Sequence, residues 1–229
     1  MKIDDFDAVA LLTCEMNQRR LDPMLDELGR VGILTCRGFF VSSEGPDVQT
    51  NTAHLFSRLL AKGAKHALLL EDDVRFLKDA ARARAIIESG PAGSCDGVFF
   101  DIFPHWGEES LAFVKRRRAY GVAFYGMLPM TYGTSCYAVN RRYMERFLEL
   151  YGANPGEPPD SRMYTGARGL ENCFSLNPPC VQLLYSNANN LRWGMAQHRL
   201  YRRWGVDYAD FNVPEGYTWD SVIRNGEVA

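Results

Sequence analysis

The chain has 229 residues, 46% of them hydrophobic and 12% aromatic, enough to bury one substantial core. Its 26 basic and 28 acidic residues leave a formal charge of −2, so no global attraction draws it to polyanions. The apolar runs Ala8 to Cys14 and Ala67 to Leu70 fall far short of the roughly 20 residues of a membrane-spanning helix. Met1-Lys2-Ile3-Asp4-Asp5 does not read as a secretory signal, so the expected site of action is cytoplasmic.

Ala8 to Thr13 reads as a strand, and Leu21, Met24, Leu25 and Leu28 recur at helical spacing up to Gly29. Short apolar segments follow from Val31 to Phe40, then a turn-rich loop from Ser42 to Asp47. Ala53, Leu55, Phe56, Leu59 and Leu60 suit one face of a helix from Thr50 to Lys62, which Gly63 stops. Ala67 to Leu70 predicts a strand buried on both faces that ends abruptly in Glu71-Asp72-Asp73. Asp79 to Ser89 predicts a helix, and Gly97 to Asp101 another strand ending in an acid. Pro104 to Pro129 is less regular and rich in aromatic residues. Gly133 to Val139 reads as a strand, Arg142 to Tyr151 as an amphipathic helix, Gly152 to Pro159 as a loop and Pro178 to Tyr185 as a last strand, with a polar tail from Ser186 that could drape across a site. Such alternation predicts a mostly parallel sheet with helices on both faces. Cys14, Cys36, Cys95, Cys136, Cys173 and Cys180 are scattered without a zinc-site spacing and read as reduced thiols.

The acid triplet carries the chemistry. In open α/β sheets ligands bind beyond the carboxyl ends of the strands, where these acids stand. Closely spaced carboxylates suit Mg²⁺ or Mn²⁺, a Lewis acid that can neutralise the charge on a departing nucleotide diphosphate. On an extended chain Glu71 and Asp73 point one way and Asp72 the other. Asp73 is therefore expected on the metal, Glu71 beside it or on a bridging water, and Asp72 toward the ribose or the sugar. The plain alternative is a charged turn or a helix N-terminus, where carboxylates are favoured.

In order along the chain, Leu11-Leu12-Thr13 with Asn17 to Arg20, Ala53-His54, Leu68 to Val74, Asp96 to Phe100, Gly133 to Val139, Pro158-Pro159-Asp160 and Pro178 to Gln182 resemble the family 25 glycosyltransferases, which make lipooligosaccharide and related glycans. The acidic motif is the most specific of these, and Ala53-His54 matches its element only in the histidine. The resemblance implies a GT-A fold in one domain over 1–229, with a nucleotide-sugar-binding half (1–105) and an acceptor half with the C-terminal tail (106–229). It also implies a UDP-sugar donor, hexosyl transfer to an acceptor hydroxyl, and inversion at the anomeric carbon. Thr13, Arg19, Arg20, His54, Glu71 and Asp72 become candidates for holding the donor.

Inversion needs a general base within reach of the acceptor hydroxyl. Asp160 matches the family's later motif, and Glu171 follows Gly169-Leu170 as acids do in related enzymes. His198 is a candidate third metal ligand. The acceptor stays open: a glycan, a lipooligosaccharide, or, given the basic run Lys115 to Arg118, hydroxylated bases of modified DNA. Trp106, Tyr120, Tyr125, Tyr132 and Trp193 could stack on sugar rings or pack as ordinary walls. A nucleotidyltransferase or metal-dependent hydrolase would also gather acids at strand ends, and a catalytically inactive glycan-binding relative would keep the fold.

Overall fold

The computed structural model describes residues 1–13, 18–89, 93–100, 103–104, 116–119, 122–126, 131–132, 135–153, 173–177, 181–183 and 210–212. The elements in chain order are β1 (Ala8–Leu12), α1 (Gln18–Arg30), β2 (Phe39–Ser42), α2 (Val48–Ala61), β3 (His66–Glu71), β4 (Val74–Phe76), α3 (Ala80–Ser89), β5 (Gly97–Phe99), β6 (Phe103–Pro104), β7 (Arg116–Ala119), β8 (Val122–Gly126), β9 (Thr131–Tyr132), β10 (Cys136–Asn140), α4 (Arg141–Ala153), β11 (Cys173–Asn177) and β12 (Val181–Leu183).

Among the described residues, eight strands form one sheet in the order β2-β1-β3-β10-β5-β11-β8-β7. Tracing the pairings, β1, β2, β3, β5, β7 and β11 run one way, and β8 and β10 run against them. The sheet is thus mostly parallel, as the alternation predicts. β3 is its buried centre: Ala67, Leu68, Leu69 and Leu70 are each 0% exposed, because residues alternate between two covered faces.

The two faces have separate cores. Val9, Leu11, Leu68, Leu70, Val98 and Ala138 pack with Met24 and Leu28 of α1 and with Ala83, Ile86 and Ile87 of α3. Ala8, Ala10, Leu12, Leu69, Phe99 and Tyr137 pack with Leu55, Phe56 and Leu59 of α2 and with Tyr143, Met144 and Phe147 of α4. Phe56 meets Phe147 edge to face at 5.2 Å, joining the two helices of the second face.

Helix ends follow local chemistry. Asp47 caps α2 by accepting from Thr50 N at 2.7 Å, so this helix begins two residues before the expected Thr50. At its other end Gly63 takes φ +77°, and Ala64 N returns to Leu59 O at 3.0 Å, a stop that a side chain would strain. Asn140 caps α4 by accepting from Tyr143 N at 2.9 Å, and Asp96 holds Asn140 Nδ2 at 2.8 Å.

Several elements depart from expectation. The stretch from Pro104 to Pro129 contains the antiparallel pair β7 and β8, with Ala119 opposite Val122 across Tyr120-Gly121. Three consecutive arginines on β7 hide its strand character, yet basic residues suit a sheet edge because they discourage pairing with another chain. β11 is also unexpected, and it sits inside the sheet, parallel to β5. No helix among the described residues is long and apolar enough to cross a membrane. Cys36 is a buried thiol, and burial pushes its pKa up.

One acid ties the starts of two central strands together. Asp7 Oδ2 accepts from Lys65 N at 2.7 Å and His66 N at 2.9 Å, just before β1 and at the head of β3. Partial burial disfavours its charge, but these N–H groups and the nearby His66 and Lys65 side chains outweigh it and hold its pKa below the ordinary value of 3.8. A carboxyl with a lowered folded pKa stabilises above its unfolded pKa, and that contribution fades as pH falls through the folded value. The melting-temperature gap between wild type and Asp7→Asn should therefore be full at neutral pH and close on acidification below 3.8. A gap that widens in acid would contradict this account.

Candidate functional site

The chain leaves β1 for β2 on one side of the sheet and then crosses to β3 on the other. The carboxyl ends of β1 and β3 therefore flank a point where strand order reverses, the usual crevice for ligands in such sheets. Register places Leu12 beside Glu71, so Thr13 and Asp72 leave the two strands together.

Thr13 Oγ1 donates to Asp72 Oδ2 at 2.6 Å; Thr13 is 1% exposed and Asp72 5%. Arg20, on the first turn of α1, donates from Nη1 to Asp72 Oδ1 at 3.3 Å and to Asp73 Oδ2 at 3.2 Å. One guanidinium thus gathers two neighbouring carboxylates whose side chains are mostly shielded from water. This corrects the expectation that Asp72 and Asp73 point to opposite sides: Asp72-Asp73 forms the turn between β3 and β4, where extended alternation no longer applies. The acids are not at a helix N-terminus either, since α3 starts only at Ala80. Glu71 is half-buried at the end of β3, its N–H donating to Ser135 O at 2.8 Å.

A buried amide supports this group from below, and sequence reasoning missed it. Asn51 on α2 is 0% exposed. Its Nδ2 donates to Thr13 O at 3.0 Å and Ser42 O at 2.7 Å, while its Oδ1 accepts from Ser42 Oγ at 2.7 Å and Glu44 N at 3.3 Å. Asn51 therefore joins the carboxyl ends of β1 and β2 to α2 and fixes the backbone of the residue that holds Asp72. The available signal was a polar residue two before Ala53 on the buried face of α2. A Cβ on Gly45 would meet Asn51 N at 2.4 Å, so the loop after β2 closes over this helix only with glycine there. Asn51→Ala should cost about 2 kcal/mol by removing the hydrogen bonds its amide makes to Thr13, Ser42 and Glu44 in a buried site. Chemical denaturation would measure it; a loss under about 0.5 kcal/mol, the level of an ordinary surface change, would show the network to be dispensable.

The turn is braced from the far side as well. Glu27 on α1, 3% exposed, accepts from Phe76 N at 2.9 Å, from Arg30 at 2.7 and 2.9 Å, and from Asn212 Nδ2 at 2.5 Å. Arg30 also donates to Leu77 O and Lys78 O, each at 2.9 Å. Asn212 N donates to Phe76 O at 2.8 Å, Lys78 N donates to Asp210 O at 2.7 Å, and Phe211 is 0% exposed in the first core. Part of the C-terminal tail is thus built into the wall beside the acid turn. β4 pairs on its other side with β12.

His54 is outside this hydrogen-bonded cluster: it is exposed on α2, with its Nδ1 3.3 Å from Glu44 O. The Arg19 side chain, Asp160, Glu171 and His198 lie outside the described residues, as do Trp106, Tyr120 and Trp193. Among the described residues no group of three or more His, Cys, Asp or Glu is gathered as a metal cage.

No protein-family model matches the chain, and no curated protein matches it. Solved structures that resemble it distantly include the following three. A glycosyltransferase involved in the glycosylation of the major capsid of PBCV-1 is 13% identical, covers 97% of this chain and 100% of its own, and has a TM-score of 0.43. A UDP-glucose pyrophosphorylase complexed with UDP-glucose is 12% identical over 74% of this chain and 73% of its own, at 0.41. A 2-C-methyl-D-erythritol 4-phosphate cytidylyltransferase from Thermus thermophilus is 12% identical over 84% and 98%, at 0.45. Likeness at this level carries no weight for the chemistry, which rests on the geometry of the acid turn.

Proposed function

We propose that this chain is a metal-dependent glycosyltransferase of the family 25 type, moving a hexosyl group from a UDP-sugar or similar nucleotide sugar to an acceptor hydroxyl with inversion. The observation behind the reading is the Asp72–Asp73 pair, held by Thr13 and Arg20 at the switch point between β1 and β3. A passive surface has little reason to concentrate neighbouring carboxylates in a largely buried crevice, since like charges raise each other's cost.

Magnesium and manganese are compatible with this donor set. Such ions commonly take one or two protein carboxylates and fill the remaining positions with water and substrate phosphates, so a full protein cage is not required. Asp73, with Glu71 beside it, would hold the ion, and Asp72, which accepts from Thr13 and Arg20, would position the turn. When bound, the ion would act as a Lewis acid on the leaving diphosphate. Thr13 acts through Asp72 rather than on substrate, because its hydroxyl is buried and already donated. Arg20 holds the two carboxylates turned together. Asp160 or Glu171 takes the acceptor hydroxyl's proton, and His198 is the candidate third ligand. In this reading 1–105 binds the donor and 106–229 shapes the acceptor side.

Slow hydrolysis of the donor tests the reading before any acceptor is known. Across a panel of nucleotide sugars with and without Mn²⁺, one nucleotide should be released in a metal-dependent manner. If no donor binds or turns over, the non-catalytic glycan-binding alternative replaces this one.

A further inference from the structure

Among the described residues, Arg75 is a buried cation that no acid meets. It lies at the centre of β4, two residues beyond Asp73, and is 3% exposed. Its Nη1 donates to the carbonyl of Val74 at 2.8 Å and stands 3.8 Å from Met24 Sδ. Its register partner on β12 is Gln182, a neutral residue. Glu27, the buried acid on the same helix as Met24, is taken by Arg30, Phe76 N and Asn212. A buried guanidinium without a counter-charge is costly, and folds keep one where something else supplies the charge.

The surroundings indicate what that is. Met24 follows Arg20 by four residues on α1, so the two occupy one face of the helix, about 5–6 Å apart at their Cβ atoms. Arg20 reaches the acid turn and Arg75 reaches Met24, so both arginines approach this face of α1, and Arg75 stands two residues along the chain from Asp73. A guanidinium has five N–H donors in a planar fork that matches phosphate oxygens, and Arg75 uses Nη1 on a main-chain carbonyl.

We propose that Arg75, beside Arg20, forms an oxyanion site for a phosphate group. The site deepens the nucleotide-sugar reading and rests on it only for the source of the phosphate, which is either the donor's diphosphate or a phosphorylated acceptor.

The test is calorimetric titration of the full chain with inorganic pyrophosphate, UDP and uridine in the presence of EDTA, for wild type, Arg75→Met and Arg75→Lys. Wild type should bind pyrophosphate. Arg75→Met should bind it at least tenfold more weakly while melting no lower than wild type, since an apolar side chain relieves the buried charge. Arg75→Lys, which keeps the charge but loses the fork, should fall between them. Displacement of pyrophosphate by UDP assigns the phosphate to the donor; pyrophosphate binding to the UDP-loaded protein assigns it to the acceptor. Pyrophosphate that fails to bind wild type, or binds folded Arg75→Met as tightly as wild type, overturns the site. Should Arg75→Met not fold, unchanged affinity in Arg75→Lys overturns it equally. Wild type that binds pyrophosphate but no nucleoside diphosphate, even when Mn²⁺ replaces EDTA, keeps the site and removes the nucleotide-sugar reading. UDP binding undiminished in Arg75→Met, with pyrophosphate binding equally unaffected, does the reverse.

Discussion

Asp73→Asn should reduce metal-dependent release of nucleotide from the preferred donor by about a hundredfold or more, the scale of losing several kcal/mol of charge stabilisation at the leaving group. The amide keeps the shape of the carboxylate and can still accept from Arg20 Nη1, now 3.2 Å from Asp73 Oδ2, so the fold should hold and the melting temperature should move little. Asp72→Asn should behave differently. Asp72 is more deeply buried and also accepts from Thr13 at 2.6 Å, so its change disturbs the turn itself and should lower both activity and stability. The contrast separates a ligand from a positioning residue. Normal turnover in Asp73→Asn would refute its assignment to the metal.

Glu27→Ala should be the most destabilising single change among the contacts around the site. It removes the acceptor for Phe76 N, leaves the part-buried Arg30 without its carboxylate and releases Asn212 from α1. Breaking a buried, hydrogen-bonded pair from one side costs about 3 kcal/mol or more. For a chain of this size that corresponds to a fall in melting temperature of roughly 6–12 °C. Glu27→Gln, which retains an acceptor for Phe76 N, should lose less. Because the Asp210–Asn212 segment docks through the same carboxylate, Glu27→Ala should also raise hydrogen exchange at Lys78 and Asn212, whose amides donate to Asp210 O and Phe76 O. A melting temperature within about 2 °C of wild type, well short of that fall, would show that Glu27 is not the brace.

Much of the scaffold was legible because its signals are local. The four helices overlap the segments that apolar spacing and Gly63 mark, and β1, β3, β5 and β10 come from apolar runs bounded by turns or polar breaks. The acid triplet was visible because three charges directly after a fully apolar strand leave few structural uses. Strands on the far side of the sheet were harder to see: β7 is basic, β8 is aromatic and β11 is five residues long, and each becomes a strand by pairing within a sheet that draws on residues distant in sequence. Asn51, Glu27 and Arg75 were passed over for a related reason, since a polar residue in a helix or strand looks solvent-facing until the packing around it is known.

The sequence by itself determined an α/β chain with acids at the carboxyl end of a buried strand, because periodicity and abrupt charge are written in neighbouring residues. Only the tertiary structure decided that Thr13 and Arg20 meet Asp72, that the two aspartates converge rather than alternate, and that Arg75 is buried with no acid beside it among the described residues. These are contacts across 51 to 59 positions of chain, and burial sets their energetics by making each unpaired charge or carbonyl costly.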